Sequence, residues 1–211
     1  MTILETKVFT YSELSESAKE TAREWYRKCI DGDNFYAECV YEDAAQIADL
    51  MGIDLCQTRT NTGTYKPTIY YSGFWSQGDG ASYECQYKYK PGALKAVTAY
   101  APKDTELHRI AKALQDIQKR YFYKIVANSH HSGHYYHSGC MRVSVEHSDD
   151  PYRDISDAED DITQALRDFA DWIYSQLEKA HDWENSDDQI AEAILCNEYE
   201  FTEYGDRVWQ P

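Results

Sequence analysis

The sequence predicts an α+β fold: a largely antiparallel sheet with paired helices packed on one face. Two observations carry this expectation. Apolar residues recur at helical spacing near both ends of the chain and over 104–119, and at strand spacing over 53–90 and on either side of a polar stretch at 130–140. The resulting order, β-α-α-β-β-β-α-α-β-β-α-α-β, delivers helices in pairs between runs of strands, which favours helices on one face of an antiparallel sheet over parallel βαβ units. No repeat, low-complexity tract or linker composition interrupts the 211 residues, so one domain over 1–211 is expected.

The elements follow in order. Residues 3–10 alternate and predict a first strand. Ser12 or Ser15 can cap a helix running to Cys29, with Ala18, Ala22, Trp25, Tyr26 and Cys29 as its buried stripe. Asp31-Gly-Asp-Asn34 ends that helix. A second helix covers 36–51, with Val40, Ala44, Ile47, Ala48 and Met51 on one face and Gly52 as its cap. Three strands are expected at Ile53–Arg59, Thr68–Trp75 and Ala81–Tyr89, the last two joined by a Gly78-Asp79-Gly80 hairpin turn. Pro91-Gly92 opens a short helix to Tyr100, and a further helix over 104–119 carries Leu107, Ile110, Ala111, Leu114 and Ile117 on one face. Strands are expected at Phe122–Ser129 and Met141–Ser148. A long helix over 156–180 aligns Ile162, Leu166, Phe169, Ile173, Leu177 and Ala180 in one arc. A helix at 186–197 and a strand at Tyr199–Tyr204 close the chain.

Charge is the most uneven property of the sequence. The net charge is −16. Residues 1–58 hold 12 acids and 5 bases, residues 59–142 hold 5 and 12, and residues 143–211 hold 20 and 4, so the segments carry −7, +7 and −16. Asp161, Asp168, Asp171 and Glu178 lie on the arc of the long helix opposite its apolar face, and Asp187 and Asp188 extend that set. An array of carboxylates on helices resembles a run of phosphates to a nucleic-acid-binding surface. The competing expectation is internal pairing with the basic middle. The overall charge disfavours direct binding of nucleic acid.

The other candidates are weighed against plainer roles. His130, His131, His134 and His137 precede Cys140; His134, His137 and Cys140 offer zinc-type ligands, but the spacing matches no known finger, and a histidine-rich hairpin loop in solvent is the favoured reading over zinc. No other cofactor is implied. Trp75, Gln77 and Asp79 form either a hairpin turn or an exposed recognition tip. His108, His147 and His181 are proton-shuttle candidates that belong to no triad or hydrolase motif. A nucleotide-binding module would draw on Lys88, Lys90 and Arg142 of the basic middle. Met1–Lys7 lacks the apolar run and cleavage site of an export signal, and no window approaches about 18 consecutive apolar residues. The six cysteines are dispersed without a C-x-x-C pair. A soluble chain with reduced thiols, away from membranes, is expected.

Three segments carry a resemblance: Tyr11-Ser-Glu-Leu-Ser-Glu with Ala22-Arg-Glu-Trp25-Tyr26, Tyr71-Ser-Gly-Phe-Trp-Ser-Gln-Gly-Asp-Gly-Ala-Ser82, and Asn197-Glu-Tyr-Glu-Phe-Thr202. They resemble a family of accessory proteins encoded by tailed phages and prophages, some with a loose antitoxin-like label. The resemblance implies a small non-structural product acting in the cytoplasm of a bacterial host. Joined to the charge, it sets the first expectation: inhibition of a host nucleic-acid-binding defence complex, such as a CRISPR effector, by an acidic DNA-mimicking surface. The alternatives are a metal-dependent or nucleotide-directed enzyme, and a module that neutralises a toxin or sequesters a nucleotide.

Overall fold

The computed structural model describes residues 7–32 and 34–209. It is an α+β fold in which every strand pairing is antiparallel. The chain forms two compact units, 1–37 with 179–211, and 38–178.

In the first unit, β1 (Phe9–Thr10) pairs with β10 (Glu200–Phe201). Helices α1 (Glu16–Ile30) and α6 (Asp187–Cys196) supply the core. Ser15 caps α1 by accepting from Ala18 N at 3.3 Å, and Ser186 caps α6 through Gln189 N. Tyr11, Leu14, Ala18, Ala22, Ile190, Ile194 and Phe201 are buried together, with Trp25 and Tyr199 packed edge-on at 5.2 Å beside them. Cys29, expected in the buried stripe, is exposed; Trp25 and Tyr26 are large enough to complete that face without it.

The second unit centres on a four-stranded sheet in the order β2 (Ile53–Leu55), β7 (Cys85–Lys88), β8 (Ile125–His131), β9 (Met141–His147). Its register aligns Ile53, Tyr87 and Ala127 across three strands, and Leu55, Cys85 and Ser129 across the same three. All six are buried, so this face takes the helices. The helices are α2 (Phe35–Met51), α3 (Ala93–Tyr100), α4 (Thr105–Arg120) and α5 (Ser156–Glu184), of which α2 and α5 cross the unit boundary. The predicted apolar faces of α4 and α5 are buried from Leu107 to Ile117 and from Ile162 to Leu177. Tyr83, fully buried, donates its hydroxyl to the Leu166 carbonyl of α5 at 2.8 Å.

Two hairpins complete the unit. β5 (Ile69–Tyr71) pairs with β6 (Ala81–Tyr83) around the expected turn. The other is a departure from expectation. Ile53–Arg59 divides into β2 and β3 (Gln57–Arg59), and β3 pairs with β4 (Tyr65–Pro67) across a threonine-rich turn closed by Thr60 N on Thr64 O at 2.8 Å. The final strand is also shorter than predicted; of 3–10, residues 3–6 lie outside the described residues, as does Asp33.

The strand expected from Phe122 begins only at Ile125. Phe122 and Tyr123 adopt left-handed backbone, φ 53° and 63°, and wrap the end of α4. Tyr123 N donates to Gln118 O at 2.7 Å. The buried Gln118 amide then holds both backbone groups of Ile125, donating to its carbonyl at 2.7 Å and accepting from its N–H at 3.2 Å. Gln118→Leu keeps the volume but strands both groups, so unfolding by denaturant should show a loss of roughly 2–4 kcal/mol. A loss below about 0.5 kcal/mol would show that the amide is not what anchors β8.

Candidate functional site

Two regions collect the candidate residues, one in each unit. In the second unit, the β8–β9 connection lies against the β5–β6 hairpin. The hairpin glycines make this approach possible. A Cβ on Gly80 would stand 2.6 Å from His137 Cα, and one on Gly78, at φ 95°, would stand 2.7 Å from the Tyr135 ring. Asp79 turns inward and accepts from Trp75 N at 3.0 Å and Ser76 N at 2.6 Å. The candidate tip is therefore divided: Asp79 builds the turn, while Trp75, 79% exposed, and Gln77 face solvent.

A polar and aromatic cluster forms beside this turn. His131 Nδ1 lies 3.0 Å from the buried Ser82 hydroxyl, and its ring sits 4.8 Å from Tyr70 and 5.2 Å from Tyr136. Tyr70 donates to Glu84 at 3.3 Å, and His130 Nδ1 lies 3.9 Å from the same carboxylate. Neither Tyr70 nor Ser82 was a candidate from sequence. Their antiparallel partnership in the β5–β6 register is the signal that would have brought them together. Of the zinc-type set, His137 and Cys140 meet, with Sγ 3.6 Å from Nε2, while His134 is exposed. Among the described residues no group of three or more His, Cys, Asp or Glu has metal-holding geometry.

The carboxylates of α5 do not form one open stripe. Asp161 pairs with Arg120 of α4. Asp168, its side chain only 14% exposed, accepts from Arg109 at 2.6 Å and from Gln164 at 2.6 Å. Part of the basic middle thus neutralises part of the acidic third within this unit. Asp171 is exposed by surface area, yet neighbouring atoms partly desolvate its carboxyl. This pushes its pKa up, against a hydrogen bond with Ser138; the Asp168 charge adds to the rise and His137 opposes it. Glu178 is half-buried.

The remaining candidates disperse. Lys90 binds Asp49 at 2.9 Å. Lys88 and Arg142 face Val126 and His130 in register, four residues apart on β8 and so roughly 13 Å along the strand. His108 contacts the Ala101 carbonyl at 2.8 Å, and buried His147 accepts from Asp150 N at 3.1 Å through Nδ1.

In the first unit, the segment between Lys179 and Arg207 contains nine acids and no Lys or Arg. Seven of the nine are exposed: Asp182, Asp187, Asp188, Glu192, Glu198, Glu203 and Asp206. Asp187 pairs with Arg27 and lies 3.6 Å from Arg23 Nε. Asp188 sits beside it in the first turn of α6, where the helix dipole favours negative charge. His181 contacts Asp182 at 3.4 Å and packs edge-on to Tyr36.

The ion pairs set a pH dependence. The hydrogen bond from Arg109 holds the Glu106 carboxyl below the ordinary carboxylate range, and the hydrogen bonds from Lys124 and Ser148 do the same for Asp149. A depressed folded-state pKa stabilises the fold above the unfolded value, and that contribution disappears as pH falls through the folded one. Arg109→Ala should therefore flatten the acid side of the stability curve, by under about 1 kcal/mol because the pair is half exposed. An unchanged acid limb in denaturant titrations would contradict this assignment.

No curated protein and no solved structure matches the chain. A family model described as a domain of unknown function, DUF8835, matches residues 36–187, from the start of α2 through α5 to the first residue of α6. That span covers most of the chain and all of the β8–β9 connection, and the protein belongs to the DUF8835 family.

Proposed function

We propose that the protein is a binding module that sets an acidic surface against the nucleic-acid-binding face of another protein and so inhibits it. The observation that supports this reading is the 182–206 segment, with seven exposed carboxylates and no Lys or Arg. Charge of one sign on helix and turn attracts a surface that normally exchanges its counterions for phosphates. Asp182, Asp188 and Glu192 are the principal contacts; Asp161 and Asp168 contribute less, because Arg120 and Arg109 already offset them. The resemblance of Tyr71–Ser82 and its companion segments to tailed-phage accessory proteins directs the choice of partner. That partner is a nucleic-acid-binding defence complex in the bacterial cytoplasm, with a CRISPR effector as the leading candidate.

The test is quantitative capture from a bacterial lysate. Asp182→Lys/Asp188→Lys/Glu192→Lys should recover roughly tenfold less partner than wild type. Glu42→Lys/Glu146→Lys/Asp160→Lys makes the same charge change at exposed positions elsewhere, and should lose little. Equal losses would reduce the effect to net charge, and no loss in the first variant would refute the acidic contact.

A further inference from the structure

The hydrogen bonds of the central sheet leave one of its edges open. The strand order β2-β7-β8-β9 makes β2 and β9 the edges. β2 has three residues, whereas β9 has seven. At the two ends of the β8–β9 ladder, Ser132 N donates to Cys140 O and Ser148 N to Lys124 O, each at 2.8 Å. In an antiparallel ladder, hydrogen-bonded pairs alternate with non-hydrogen-bonded ones. Arg142, Ser144 and Glu146 therefore direct their backbone groups at β8, and Met141, Val143, Val145 and His147 direct theirs outward.

Both ends of that outward row are occupied. Met141 N donates to Ser138 O, and Met141 O accepts from Arg167 at 3.1 Å. His147 O accepts from Asp150 N at 3.3 Å. Between them, the N–H and C=O groups of Val143 and Val145 have no hydrogen-bond partner among the described residues. Their side chains are half-buried, whereas Ser129 and Ala127, opposite them on β8, are buried. On the other face of the sheet, Arg142, Ser144 and Glu146 are exposed. The open row is thus centred on Ser144, with a cation before it and an anion after it.

Charge on an edge strand commonly blunts it against pairing. Here the order of the signs suits one partner, a second copy of the same strand. An antiparallel copy related by a two-fold axis at Ser144 sets Val143 opposite Val145 of the second copy, so open N–H groups meet open C=O groups. The same register sets Arg142 opposite Glu146 of the second copy, and symmetry repeats the pair at the roughly 5 Å Cβ separation of cross-strand neighbours. Moving the axis to Arg142 or Glu146 opposes like charges. Moving it to Val143 or Val145 leaves both charges opposite uncharged residues. We infer that β9 is a homodimerisation edge, through which two copies of this chain join in a two-fold pairing centred on Ser144. The pairing extends the four-stranded sheet across both chains and covers the two valines. It uses residues of the second unit and does not rest on the acidic 182–206 segment, so either assignment can fail without the other.

Sedimentation velocity of the full chain over a concentration series reads the association, in about 0.15 M salt to screen the charge on each copy. Wild type should dimerise. Val145→Pro removes an outward N–H and leaves the β8 ladder intact, so it should weaken the dimer roughly tenfold with little change in melting temperature. Arg142→Glu opposes like charges at both symmetric positions and should weaken the dimer roughly tenfold. Arg142→Glu/Glu146→Arg should restore it. Ser144→Cys sets a thiol opposite its own copy, at roughly 4.5 Å between Cα atoms, so mild oxidation should cross-link the peptide carrying position 144 to itself. Wild type that stays monomeric up to about 0.5 mM would overturn the proposal. So would a dimer that Val145→Pro leaves at full strength; if that variant does not fold, the charge variants decide alone. A dimer that the charge swap fails to restore, or that gives no cross-link at position 144, would overturn the register.

Discussion

The hydrogen bond from Tyr83 to the Leu166 carbonyl fixes where α5 lies on the larger unit. Tyr83 is fully buried at the end of β6, and its ring meets Phe169 edge-on at 5.6 Å. A buried hydroxyl requires a partner, and an apolar helix face alone would tolerate sliding and rotation. With Leu166 fixed, its neighbours on α5 acquire definite surroundings. Arg167 reaches the Met141 carbonyl at 3.1 Å, Asp168 meets Arg109, and Asp171 meets Ser138. One buried hydrogen bond therefore orients the charged residues of α5 and sets the neighbours of the β8–β9 turn.

This placement separates two kinds of acidic residue that net charge merges. On α5, Asp161 and Asp168 face arginines of α4 and serve the fold. Between Lys179 and Arg207 stand nine acids and no Lys or Arg, and Arg23 and Arg27 divide their contacts between Asp187 and Glu20. Exposed like charges in water repel only modestly, and salt screens them over about 10 Å. Such a segment is tolerable in isolation and becomes strongly attractive only opposite a cationic surface.

The amphipathic helices were legible because burial imposes a period that residue identity records. Leu107 through Ile117, and Ile162 through Leu177, are buried as that period requires. The β5–β6 hairpin was legible because its turn demands glycine. Its second glycine is required for a reason that no local pattern records, the close approach of His137 from about 57 residues away. β4 was not expected, and β3 was joined to β2 in one strand, because the residues of Gln57–Arg59 and Tyr65–Pro67 carry no buried face to give an apolar alternation. Phe122 and Tyr123 look like strand residues by propensity, yet tertiary anchoring through Gln118 places them in left-handed backbone. The arginine partners of Asp161 and Asp168 were hidden because ion pairs between helices depend on packing angle and leave no mark on either helix alone.

We propose that the acidic segment occupies a site built for nucleic acid. Competition on the isolated complex tests it most directly: the captured partner is held with this protein while double-stranded DNA is titrated in at low salt. Mutually exclusive binding, with DNA displacing the protein in proportion to its own affinity for the partner, is the predicted result. A stable ternary complex holding both DNA and the protein would contradict it.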